Sequence, residues 1–254
     1  MHERLTFSGH ATVVLDVGGR RIVTDPILGR RIQVLLRNRQ GVPAAELAAA
    51  DAALISHLHH DHLDVASLRR FGRDALIVCP AGAEELLAGK GFTNVVPLAA
   101  GESTMVGPVV VRAVQAAHGC DRAFSRTEAD PIGYVIEGSS SIYFAGDTDL
   151  FEGMSEIART LDVALVPVWG WGPKLGEGHL SPETAAEAVR LLAPRIAVPI
   201  HWGGLAPIGA NLLWPWMFER PPERFAAAMA ERAPEVEVRI LRPGETLELE
   251  ESVR

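Results

Sequence analysis

Apolar residues in this chain gather in short runs separated by turn formers, not in long helical stripes. Segments 11–17 (ATVVLDV), 20–24, 52–56 (AALIS), 75–79 (ALIVC), 109–116, 132–136, 141–145, 162–168, 195–200 and 236–241 are rich in β-branched residues, which predicts strands, some of them buried on both faces. The first residues, after Met-His-Glu-Arg, also enter a strand-like alternation. Helical periodicity appears at about 63–71, 81–88, 151–160, 181–193 and 221–232. The helix at 181–193 has the clearest signal: Ser181 as N-cap, Pro182 in the first turn and Glu183 as an early acid, then apolar Ala185, Ala188, Val189 and Leu192.

Hairpin-like strands fill the first quarter, and strand–helix alternation follows over 52–97 and 162–241. That order predicts an α/β fold of mixed sheets covered by helices rather than a purely doubly wound sheet. No composition shift marks a linker and no short repeat is visible, so a single domain over 1–254 is the simplest expectation.

Composition narrows the function classes. The 254 residues are 48% hydrophobic and 22% charged, enough for a sizeable core and unlike a disordered chain. No apolar run approaches the roughly 18 to 20 residues a membrane span requires, and the N-terminus has no signal-peptide pattern; stable membrane insertion is not expected, and a cytoplasmic location is. The net charge of −8 argues against a diffuse nucleic-acid binder. Cys79 and Cys120 form no CxxC pair, so neither a zinc knuckle nor a disulfide scaffold is indicated.

Two distributions are uneven. Of nine His, four lie within 57–62, and all five Trp lie between 169 and 216. Ser56-His57-Leu58-His59-His60-Asp61-His62 leaves a buried-looking strand. Residues two apart face opposite sides of a helix, so His57 and His59 can share a metal only on an extended or looped segment. HxHxDH should arise by chance in fewer than roughly one in a thousand chains of this length. His118, Asp147 and His201 each stand at a predicted strand end, where an α/β scaffold builds its sites.

In that order, these residues resemble the ligand set of the metallo-β-lactamase superfamily, and the resemblance covers essentially the whole chain. It implies an αββα sandwich of two mixed sheets flanked by helices, with a dinuclear site at one edge. Thr24-Asp25-Pro26-Ile27, the 54–64 segment and Gly178-His179-Leu180-Ser181-Pro182-Glu183 look most like a hydrolase branch that includes ascorbate-6-phosphate lactonase and the N-acylphosphatidylethanolamine-hydrolysing phospholipase D. By that similarity one divalent ion takes His57, His59 and His118, the other takes Asp61, His62 and His201, and Asp147 bridges them. A donor set without thiolate suits zinc, with manganese or iron as alternatives. The implied reaction is attack by a metal-bridging hydroxide on an ester-type bond, Asp61 belonging to the catalytic centre, with no Ser or Cys nucleophile.

His60 stands where phospholipase-like members carry an aromatic and is not expected to ligate; nor is Cys120. Asp149 is expected to put an extra carboxylate near the rim. His179 is expected near the pocket, donating a proton to the leaving group or binding an anion. Asp25 and His10 are candidates to hold ligands from behind. Arg30, Arg31, Arg37 and Arg39 could receive an anionic group, or simply form a solvated face. Trp171 and Trp202 are substrate candidates, and the 205–220 segment reads as a pocket lid or a contact between copies of the chain. The expected substrate is an anionic, partly apolar small molecule: a phosphodiester, or alternatively a lactone. An iron oxygenase on the same fold is the competing class.

Overall fold

The computed structural model describes residues 3–38, 41–120 and 127–249. Two seven-stranded mixed sheets carry the architecture. The first places Thr246–Leu249, Glu3–Gly9, Thr12–Val17, Arg20–Thr24, Ala52–Leu54, Leu76–Pro80 and Val95–Leu98 side by side. Its strands are antiparallel up to Arg20–Thr24 and parallel beyond, where helical crossovers replace tight turns. The second orders Glu237–Val238, Ile196–Ile200, Val163–Pro167, Ser141–Phe144, Ile132–Glu137, Val109–Gln115 and Ser103–Val106.

The sheets share one apolar core. Leu5, Phe7, Val13, Leu15 and Leu54 from the first meet Val111, Tyr134, Ile136, Phe144 and Leu165 from the second, all fully buried. Tyr134 crosses between the sheets, its hydroxyl donating to Ile55 O at 2.7 Å. Helices Pro182–Leu192 and Arg220–Arg232 cover the second sheet through Ala185, Val189, Phe225 and Met229. On the far side, Leu63, Leu68 and Leu87 pack over Ala53, Ile55 and Ile77. The layers are therefore helix, sheet, sheet, helix, as expected. Strands such as Val163–Pro167 and Ile196–Ile200 are buried at every position, which is why they lack polar alternation.

Some elements differ from expectation. The helix expected over 151–160 is only a 3₁₀ turn at Met154–Glu156, because Gly153 enters it with φ 86°. The 63–71 helix shrinks to Val65–Leu68, capped by the Asp64 carboxylate. The 205–220 connection forms strand Leu205–Pro207, helix Ala210–Leu213 and a 3₁₀ turn at Pro215–Phe218. Leu205–Pro207 joins Leu35–Arg37 and Arg31–Ile32 in a small separate sheet. Among the described residues, no helix is long and apolar enough to cross a membrane.

Candidate metal centre

Most of the chemistry-bearing side chains leave C-terminal strand ends at one rim. The first sheet supplies His10, Asp25 and the 57–62 segment; the second supplies His118, Asp147 and His201. Gly146, with φ 62°, lets the chain turn just before Asp147, and a Cβ there would stand 2.6 Å from the Ser56 side chain. Only glycine permits that approach between the two sheets.

Among the described residues the donor atoms gather in four overlapping groups, each within 4.8 Å: His57, His59 and His118; His10, Asp61, His62 and His201; Asp25, His57 and His62; and His118, Asp147 and His179. Asp147 lies between the first two, its Oδ2 3.1 Å from His62 Nε2 and 4.0 Å from His57 Nε2, its Oδ1 3.2 Å from His201 Nε2. Asp147 Oδ1 is buried and makes no hydrogen bond.

Hydrogen bonds on the outer side settle the imidazole tautomers. His201 Nδ1–H donates to Trp169 O at 3.0 Å and His118 Nδ1–H to Gly178 O at 2.7 Å. His62 Nδ1–H donates to Asp25 Oδ2 at 2.7 Å. The Ser56 hydroxyl donates to the same carboxylate at 2.6 Å and so must accept from His57 Nδ1–H at 2.9 Å. In the neutral rings His57, His62, His118 and His201 therefore turn bare Nε2 lone pairs inward. The two on His62 and His201 stand 3.0 Å apart, and those on His57 and His118 stand 3.0 and 3.1 Å from His59 Nδ1. Facing lone pairs repel unless a cation sits between them, so the residues present fit divalent metal, and the nitrogen and oxygen donors fit zinc.

Electrostatics agree. Burial opposes charge on His62, yet the Asp147, Asp61 and Asp25 carboxylates lift it well above its ordinary value, which marks the spot as strongly favouring positive charge. Burial works against ionisation of Asp61 and Asp147 too, but the surrounding imidazoles hold both well below the usual carboxylate range. Burial pushes His57 well down and His118 to about 4, favouring the neutral, ligating form. Asp25 is fully buried; burial lifts its carboxyl despite the donors from His62 and Ser56.

His179 enters from the loop before the Pro182–Leu192 helix. Its Nε2 is 3.3 Å from Asp147 Oδ2, its Nδ1–H donates to Glu177 O, and its side chain is 19% exposed. Burial lowers its proton affinity, but Asp147 outweighs this and raises it. His10 Nε2 lies 2.8 Å from Asp61 Oδ2.

Other candidates fall elsewhere. Trp202 packs in the core, 6.2 Å from Phe7 with its indole N–H on Pro199 O. Trp171 is 42% exposed. His60 and Cys120 are half-buried. The Asp149 carboxylate accepts from the Leu150 amide. Arg37 is half-buried and donates to the Ser8 and Ile27 carbonyls. Arg30 and Arg31 are exposed, with Arg31 on Gln33 O; Arg39 lies outside the described residues. What sequence reasoning missed are the outer partners: Ser56 and the Trp169 and Gly178 carbonyls. Ser56 adjoined the motif and was legible as a hydroxyl within reach; backbone carbonyls leave no sequence signal.

Comparison with known proteins gives the same picture. A family profile described as a beta-lactamase superfamily domain matches residues 20–202. A UPF0173 metal-dependent hydrolase of Pelotomaculum thermopropionicum is 33% identical over 256 residues, covering 97% of this chain and all of that one. The solved structure of Igni18, a metallo hydrolase from the archaeon Ignicoccus hospitalis, superposes with a TM-score of 0.76 at 26% identity, covering 98% of this chain and 99% of that one. An isothiocyanate hydrolase from Delia radicum gut bacteria shares the fold, with a TM-score of 0.76 at 20% identity and coverage of 96% and 98%. With its two sheets, its rim of imidazoles and carboxylates and these relatives, the chain belongs to the metallo-β-lactamase superfamily, among its UPF0173 metal-dependent hydrolases.

Proposed function

We propose that the protein hydrolyses an ester-type bond in an anionic, partly apolar small molecule, using two divalent ions, most simply zinc. A phosphodiester is the favoured substrate and a lactone the alternative. The observation that carries this reading is the pair of inward lone-pair sets, His57, His59 and His118 on one side and Asp61, His62 and His201 on the other, with the Asp147 carboxylate between them. Two such ions, when bound, supply Lewis acidity toward the scissile oxygen and a water acidic enough to be the nucleophile near neutral pH.

The chain's own groups do the rest. Asp25 holds His62 directly and His57 through Ser56, so one carboxylate orients a donor in each set. The Trp169 and Gly178 carbonyls keep His201 and His118 in the tautomer that leaves Nε2 free. His179, raised in proton affinity by Asp147 and reachable from solvent, holds a proton at Nε2 for a leaving oxygen or an anionic substrate group. With Arg37 bound to backbone and Arg30 and Arg31 exposed, anion recognition in this reading rests on the ions and His179, and Trp171 offers the apolar contact.

Elemental analysis of the purified chain, paired with assays of wild type and Asp61→Ala on bis-(p-nitrophenyl) phosphate and a lactone panel, tests the reading. Two equivalents of metal and phosphodiester cleavage lost in Asp61→Ala are expected. Less than one metal per chain would overturn the reading, and lactone turnover without phosphodiester turnover would replace the favoured substrate with the alternative.

A further inference from the structure

We propose that His10 is a positioning residue for Asp61, and that through it His10 sets the affinity of one ion of the pair, the one assigned to Asp61, His62 and His201, while leaving the other untouched. This rests on the two-ion reading above. His10 Nε2–H donates to Asp61 Oδ2 at 2.8 Å, and that oxygen is also the one nearest the inward nitrogens of His62 and His201, at 3.6 and 3.7 Å. The His10 ring is 2% exposed and lies 3.9 Å from the His201 ring, centroid to centroid, and 5.4 Å from that of His62. It therefore walls two imidazoles of this set and directs its carboxylate. The rings of His57, His59 and His118 contact one another, and His57 also meets His62 at 4.1 Å, but no ring contact joins His10 to any of the three among the described residues.

The backbone is committed to this placement. His10 and His201 both adopt left-handed conformations, φ 59° and 60°, which L-residues disfavour for steric reasons. The two turns are clasped together: His201 N–H donates to His10 O at 2.8 Å, and at Gly204 a Cβ would stand 2.3 Å from His10 N. A turn of the first sheet is thus bolted to a turn of the second where Asp61 needs an anchor. His10 Nδ1 is buried without a partner, so the Asp61 contact is its one side-chain hydrogen bond among the described residues.

The test is metal binding by the full chain, measured by zinc titration against a chromophoric chelator and by the absorbance of the cobalt-substituted protein. His10→Met removes the donor at similar volume; His10→Gln keeps an N–H near the place of Nε2. Should His10→Met fail to fold, His10→Asn carries the same expectation, since Asn suits the left-handed backbone and its amide stops short of Asp61. We expect the donor-deleted variant to weaken one ion 10- to 100-fold and leave the other at its wild-type affinity. His10→Gln should bind both ions within about threefold of wild type, a range set by the modest worth of one retained hydrogen bond. If His10→Gln falls as far as His10→Met, the ring is itself a ligand and the positioning role is wrong. Equal weakening of both ions, or of neither, also overturns it. A wild-type chain that binds a single ion defeats the two-ion reading and this inference with it, whereas two ions in wild type with an unaffected His10→Met defeat this inference alone.

Discussion

Replacing Asp25 by Asn tests the tautomer argument with little disturbance of shape. Asp25 sits at φ 34°, a left-handed conformation that Asn tolerates well, so the backbone should survive the change. Its Oδ1 accepts from the Ser56 amide at 2.7 Å; its Oδ2 accepts from the Ser56 hydroxyl and from His62 Nδ1–H. An amide has a single acceptor oxygen. If that oxygen keeps the Ser56 amide, the new NH₂ faces His62 Nδ1, which must then carry the lone pair. The ring proton moves to Nε2 and points at the site of the ion.

Loss of such an outer partner lowers metal affinity about 10- to 100-fold, or about 1.4–2.7 kcal/mol, for the ion held by His62. The ion held by His57 is affected less, because Asp25 reaches that ring only through Ser56. Ser56→Ala should reverse the order, sparing His62 and loosening His57. Competitive zinc titration of the two variants checks both expectations. Wild-type affinities for both ions in Asp25→Asn would refute the claim that outer hydrogen bonds settle which nitrogen faces inward.

Other consequences are open to direct measurement. Glu3, nearly buried, accepts backbone amides from Gly18, Ser139 and Ser140, so it staples a hairpin of the first sheet to a turn of the second. Burial raises its carboxyl, but these bonds and the Ser140 side chain outweigh that and lower it from 4.5. A lowered folded-state value means the stabilisation is present above the unfolded value and is lost as pH falls through the folded one. Glu3→Gln should cost about 1–3 kcal/mol in urea unfolding at pH 7, with the gap to wild type closing below about pH 4.5; a pH-independent gap would speak against it. Val34, Leu36 and Ile208, in and beside the strands of the small sheet, are exposed, and Leu212 and Leu213 follow in the next helix, 83% and 66% exposed. That is on the order of 500 Å² of apolar surface, so two copies would bury about 1,000 Å², the lower limit of a specific interface. Light scattering should show self-association, abolished by Leu212→Glu with Leu213→Glu; a wild-type monomer at high micromolar concentration would exclude this contact.

What could be read from the chain before its fold divides along one line: whether a residue's partner is near in sequence or is of a type that advertises itself. The buried strands were legible because continuous apolar runs have few other uses. The 57–62 motif was legible because four imidazoles within six residues have few bland explanations. The 151–160 helix was misread because one glycine with positive φ outweighs a plausible apolar spacing. Trp202 is more buried than its place in the sequence suggests, for a subtler reason. A Trp in a Gly- and Pro-rich connection looks exposed, since its N–H needs an acceptor, yet Trp169 and Trp202 each find a carbonyl three residues away, Gly172 O and Pro199 O, and can be buried.

The groups that give the centre its chemistry lie on the far side of that line. A neutral His62 turns a lone pair inward because Asp25, 37 residues earlier, accepts its Nδ1–H on the other side; His201 does so because of a carbonyl 32 residues away. No spacing rule connects these pairs, which meet only when strands distant in sequence pair side by side: Arg20–Thr24 with Ala52–Leu54 in the first sheet, and Val163–Pro167 with Ile196–Ile200 in the second. The motif therefore specifies which atoms are available to a metal, while the fold specifies which of those atoms are free of protons. Substitutions in the motif should delete binding outright, and substitutions behind it should grade binding. That difference in kind, absent versus weakened, distinguishes the two layers in a metal titration even where both abolish turnover.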